Sequence, residues 1–108
     1  MNEIELTIWT DFGGGDGDNC EESVTINDKD YKSLIALIQE YKQSSESCCG
    51  QEFTKEWLYN KNEQLFSKLL RMAAWFITES LKRNGYEKDE IESVDYGFYI
   101  SDEFIEKV

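Results

Sequence analysis

The sequence predicts an α+β protein of two layers, in which helices cover one face of a three-stranded, mainly antiparallel sheet. Three segments, 3–12, 21–26 and 93–100, alternate apolar with polar residues, as strands with one buried face do. Two longer segments, 29–42 and 60–85, repeat apolar residues every three or four positions, which is typical of amphipathic helices. With a short C-terminal helix, the predicted order is ββααβα, in a single domain that spans the whole chain.

The first two strands are predicted to form a hairpin. Its inward residues are Ile4, Leu6, Ile8, Thr10 and Phe12 in the first strand, and Val24 and Ile26 in the second. The segment between the strands, Gly13–Asn19, is rich in glycine and is expected to be a flexible tip. Its acidic residues raise the alternative of a calcium site, but their spacing does not match the ligand positions of an EF-hand loop.

The first long helix is predicted to run from Lys29 to Lys42, with Asp28 as its N-terminal cap. Its apolar face consists of Tyr31, Leu34, Ile35, Ile38 and Tyr41. The polar segment that follows is interpreted as a linker between helices. Its two cysteines, Cys48 and Cys49, are interpreted as ordinary loop residues, since no further ligand or neighbouring cation favours a metal or redox site.

The segment 53–59 is too apolar for a solvated loop, and is expected to pack on the core or to form a short helix. The longest predicted helix follows, with Asn60 as its cap and Gly85 as its stop. Its apolar face consists of Phe66, Leu69, Leu70, Ala73, Phe76, Ile77 and Leu81. Trp75 falls on the polar side, so either another segment covers the indole or the indole is an exposed anchor for a partner.

The last two elements are the third strand and a short helix. Ser101 is expected to cap the helix Asp102–Val108, whose first turn is acidic as the helix dipole favours. The predicted common core of the protein combines inward strand residues with the two helix faces: Leu6, Ile8, Ile26, Leu34, Ile38, Leu69, Ala73, Phe76, Phe98 and Ile100.

The net charge of −12 is concentrated at the two ends of the chain. Residues 1–30 hold nine acidic groups against one lysine, and residues 87–108 hold eight against two. Such a surface repels the phosphates of nucleic acid, so direct nucleic-acid binding is excluded as a main activity. A basic protein partner would be attracted, although acidity that serves only solubility is an equally open interpretation.

The residue inventory offers little to an enzyme. The chain has no histidine, which removes the commonest general base, and it contains no nucleophile or cofactor motif. No cofactor and no metal are therefore expected. An odd number of cysteines, three, is typical of a reducing compartment, and no apolar run is long enough to span a membrane. The expected location is the cytoplasm.

Strand alternation places Glu5, Trp9, Asp95 and Tyr99 on the outer face of the predicted sheet. These two aromatics among carboxylates are the candidate partner-binding surface, with Trp75 on the long helix as the next candidate. The alternative is that the aromatics pair across strands and only shield the sheet, or that the segment 53–59 covers them. The predicted function is that of a small, non-enzymatic protein that binds or inhibits a basic protein, as an immunity protein or a nucleic-acid mimic does. The alternatives are a self-assembling module, such as a homodimer, and a carboxylate-based hydrolase.

Overall fold

The sheet has three antiparallel strands in the order β2-β1-β3. The computed structural model of the chain describes residues 2–13, 16–44 and 52–108. Strand β1 is Asn2–Gly13, β2 is Asp16–Ile26 and β3 is Asp95–Ile100. The two N-terminal strands form the predicted hairpin, and β3 pairs with the other side of β1.

The helices complete the predicted ββααβα order, which is confirmed. The two long helices are α1, Asp28–Gln43, and α3, Glu63–Arg83. The short elements are a π-helix over Phe53–Leu58, α2 over Tyr59–Lys61, α4 over Lys88–Glu92 and α5 over Asp102–Lys107. Within the described ranges, none of these helices combines the length and apolar character that crossing a membrane requires.

One hydrophobic core lies between the inner face of the sheet and the helices. In the first part of β1 the alternation is strict: Ile4, Leu6 and Ile8 are buried, and the residues between them are not. The other buried apolar residues are Val24, Ile26, Leu34, Ile38, Phe53, Trp57, Leu58, Leu65, Leu69, Ala73, Ile77, Leu81, Val94, Phe98 and Ile100. The predicted core is confirmed except for Phe76, which is only half-buried.

The buried stripe of α3 is rotated from the predicted one. Its buried residues recur every four positions, at Leu65, Leu69, Ala73, Ile77 and Leu81. The flanking Phe66 and Phe76 lie at the edges of the contact and are half-buried. The helix crosses the sheet obliquely, since the Phe66 ring packs 5.1 Å from Phe98 on β3 while Phe76 borders a groove beside β2.

Each long helix is capped by an asparagine that lies one or two residues from the predicted cap. Asn27, not Asp28, caps α1, because the Asn27 Oδ1 accepts a hydrogen bond from the Asp30 N–H at 2.7 Å. Asn62, not Asn60, caps α3, because the Asn62 Oδ1 accepts a hydrogen bond from the Leu65 N–H at 3.2 Å. A capping residue must lie just before the first turn, with its own backbone outside the helix. Asn27 and Asn62 meet this condition, whereas Asp28 and Asn60 are themselves helical.

The C-terminal end of α3 is the predicted glycine stop. Gly85 has φ of 85°, the left-handed conformation that glycine adopts without strain. The N–H of Tyr86 bonds to the carbonyl of Leu81 and the N–H of Gly85 bonds to that of Lys82, both at 3.1 Å. This is the Schellman arrangement that satisfies the last carbonyls of a helix.

The hairpin is longer than the glycine content predicts. Gly13 belongs to β1 and pairs with Asp16, and residues 16–19 belong to β2, so the predicted loop Gly13–Asn19 is wrong at these positions. Continued cross-strand pairing outweighs the low strand propensity of the glycines there. Residues 14–15 lie outside the described residues.

The segment after the linker packs on the core, as predicted. Phe53, Thr54, Trp57 and Leu58 of the π-helix are all buried. The hydroxyl oxygen of Thr54 accepts a hydrogen bond from the backbone N–H of Ile100 at 2.9 Å, so this segment covers part of the β3 edge. The preceding linker cysteines, and with them the interpretation of that pair, lie outside the described residues.

Candidate protein-binding surface

The outer face of the sheet carries the alternate side chains of all three strands. Cross-strand register sets Glu5 opposite Ser23, and Thr7 between Glu21 and Tyr99. We call this surface the acidic face, and its members are Glu3, Glu5, Asp11, Glu21 and Asp95 with the aromatics Trp9 and Tyr99. Four of the predicted site residues, Glu5, Trp9, Asp95 and Tyr99, therefore share one face, on the side of the sheet opposite the core.

Trp9 lies flat on the backbone of Gly97, its cross-strand partner. A Cβ built at Gly97 would lie 2.6 Å from two carbon atoms of the indole ring, well inside the distance at which Cβ atoms contact their neighbours. The glycine therefore makes room for the ring, and its occurrence inside a strand was the sequence signal for such a close approach. The half-buried indole covers the middle of the acidic face as a flat apolar surface.

Replacing Gly97 with Ala is expected to push the indole of Trp9 off the sheet and to destabilise the fold by about 1–3 kcal/mol, as overpacking does. Denaturant melts and the near-ultraviolet circular dichroism of the indole would measure both effects. In a Trp9→Ala background the same glycine substitution should cost much less, because the clashing ring is gone. Equal costs in the two backgrounds would contradict this packing.

Tyr99 lies beside the π-helix at the β3 side of the acidic face. The Nζ of Lys55 lies 5.8 Å from the centre of the Tyr99 ring, close to the limit of a cation–π contact. The π-helix thus flanks the acidic face at its β3 edge and contributes a lysine to the rim. Tyr99 is half-buried, so part of its ring is available to a partner.

A groove of about 340 Å³ lies at the same edge, between the start of the π-helix and α5. It is lined by Thr7, Glu52, Phe53, Thr54, Tyr99, Ile100, Asp102 and Ile105. Burial raises the pKa of the Glu52 carboxyl, an effect that Lys55 opposes and that Glu56 and Asp102 reinforce. Burial also raises the pKa of Tyr41, again with contributions from Asp102 and Glu52.

Trp75, the remaining predicted site residue, lies apart from the acidic face on α3. Its side chain is 61% exposed, and its ring meets Phe76 edge-on at 5.1 Å. The interpretation that another segment covers the indole is therefore wrong for the described chain. Trp75 lines a groove of about 370 Å³ with Glu22, Phe76, Glu79 and Arg83, next to β2.

A larger groove, of about 490 Å³, separates the far half of the hairpin from the C-terminal half of α3. Phe12, predicted to point inward, is 43% exposed there because the hairpin extends beyond the packed part of the helices. Its ring stacks on Tyr86 at 5.8 Å. Burial and the nearby Glu22 and Asp18 raise the pKa of the Cys20 thiol on the hairpin wall, which disfavours its thiolate form.

No protein-family model, curated protein or solved structure matches this chain.

Proposed function

We propose that this chain is a small, non-enzymatic cytoplasmic protein that binds and inhibits a basic protein through its acidic face. The observation that carries the proposal is the register of the sheet. It brings carboxylates from all three strands together around Trp9 and Tyr99 on the face opposite the core. A flat aromatic surface with a carboxylate surround is complementary to a basic patch that contains apolar side chains.

The charges and the aromatics would act at different stages of binding. Carboxylates at the rim attract a basic partner from a distance and raise the association rate, and salt screens this attraction. Trp9 is held in place by its contact with Gly97, so little side-chain entropy is lost when a partner covers it. Rigid aromatic anchors of this kind slow dissociation.

The same surface disfavours two competing roles. Two copies of the acidic face would repel each other, so a homodimer through this face is not favoured. Nucleic acid would be repelled in the same way. An acidic face that occupies a partner's basic active site or nucleic-acid groove would block it, which supports an inhibitory role.

The test is affinity capture followed by binding kinetics against the captured protein. Trp9→Ala is expected to leave the association rate unchanged and to speed dissociation about thirtyfold, the effect of losing about 2 kcal/mol at an anchor. Glu5→Lys is expected to lower both the association rate and its dependence on salt. Thermal melts of each variant would establish that it is folded.

Glu40→Lys is the matched control, because it makes the same charge change on an exposed part of α1. Glu40 forms an ion pair with Lys61 at 3.9 Å, which is solvent-exposed and contributes little. The control should bind like the wild type. If Trp9→Ala and Glu5→Lys also do so, the acidic face is not the binding site and the proposal fails.

A further inference from the structure

The two edges of the sheet differ in how their backbone groups are satisfied. On β3 the N–H of Ile100 points away from β1 to Thr54, whereas the N–H of Ser101 donates to the carbonyl of Glu5 at 3.0 Å. In an antiparallel pair the N–H and C=O of one residue point to the same side, and the side alternates along the strand. The odd-numbered residues of β1 therefore bond to β3, and its even-numbered residues bond to β2.

The register carries this alternation across to β2. Glu22 and Val24 pair with even-numbered residues of β1 and direct their backbone groups inward to the ladder. Glu21, Ser23 and Thr25 direct theirs outward. Because β2 is the first strand in the sheet order, these outward groups meet no further strand within the described chain. The next outward residue, Asn19, already donates its N–H to the Asp18 carboxylate at 2.9 Å.

An exposed aromatic groove lies directly beside this open stretch. Glu22 on β2 and Trp75 on α3 line the same groove, so the groove borders the open edge on the inner side of the sheet. A strand added to β2 would set alternate side chains over Trp75 on one side and beside Glu21 of the acidic face on the other. Strand addition would thus cover the most exposed large apolar side chain of the described chain.

We propose that an extended, basic segment of the partner protein adds to β2 along Glu21–Thr25 and packs its inner side chains on Trp75. The inference rests on the proposed function and specifies how the partner is held. Charge supports a basic segment, because residues 16–26 contain four acidic side chains and no basic one. A second copy of β2 would bring another acidic strand beside the first, and like charges disfavour this pairing, so the edge is suited to a different chain.

The test uses a capped synthetic peptide of alternating lysine and valine, about six residues long to match a typical strand. In hydrogen-exchange spectroscopy of the free protein, the amides of Glu22 and Val24 should be protected, whereas those of Glu21, Ser23 and Thr25 should exchange fast. The peptide is expected to slow hydrogen exchange at these three outward amides. It should also shift the fluorescence emission of Trp75 to the blue, and this shift should be absent in the Trp75→Phe variant. A peptide of alternating glutamate and valine should do neither.

Ser23→Pro removes an outward N–H without breaking the ladder to β1, and it should weaken peptide binding about tenfold or more. Ser23→Ala, which keeps the N–H, should bind like the wild type. The inference is overturned if the lysine peptide does not bind. It is also overturned if the peptide binds but the outward amides still exchange fast, or if Ser23→Pro binds it as tightly as the wild type does. The Trp9 and Glu5 variants test the acidic face independently of the peptide. Failure of strand addition can therefore be distinguished from failure of the proposed function.

Discussion

Replacing Leu69 with Ala is expected to lower the free energy of unfolding by about 2–5 kcal/mol, the largest effect of any substitution considered for this protein. Leu69 is fully buried at the middle of the α3 stripe, within the core that joins this helix to the sheet. Truncation removes its packing and leaves a cavity that the surrounding strands and helices cannot close. Denaturant melts of the purified variant would measure the loss.

Leu70→Ala is the matched control, because it makes the same chemical change one position along the helix. Leu70 is only half-buried, so its truncation should cost distinctly less than that of Leu69. Equal losses at the two positions would mean that the buried stripe of α3 is centred elsewhere.

Thr54→Val is expected to cost about 1–3 kcal/mol, although the two side chains have nearly the same shape. The buried hydroxyl of Thr54 accepts the N–H of Ile100, and valine leaves that donor without an acceptor in a water-excluded place. Thr54→Ser keeps the acceptor and loses only a methyl group, so it should cost less than valine does. The exchange rate of the Ile100 amide provides a second measurement, since it should rise in Thr54→Val alone. A valine variant as stable as the wild type would show that this hydrogen bond contributes nothing.

The sequence could predict the three strands and the two long helices because each of them has a strong local period. Alternation identified Ile4, Leu6 and Ile8 as inward residues, and the three-to-four spacing identified both long helices. Alternation also placed Trp9 and Tyr99 on one face, since the side chains of a strand can point only to two sides. These are properties of short segments, which a single sequence displays.

What could not be predicted depends on contacts between segments. Leu65 and Phe66 are both apolar, so periodicity alone could not decide which of them lies at the centre of the α3 stripe. The contact of Trp9 with Gly97 depends on the register between β1 and β3, which distant residues set together. The exposure of Trp75 depends on where the other segments end, and no local pattern records that.

The β3 edge of the sheet is partly covered and the β2 edge is open, and this difference determines the stoichiometry of a complex formed by strand pairing. A chain whose sheet is open on both sides can bridge two neighbours and so propagate an open-ended polymer. Here the threonine of the π-helix closes part of one side of the described sheet. Strand pairing on the other side would then end after one event, and the product would be a discrete one-to-one complex whose size stays constant as protein concentration rises.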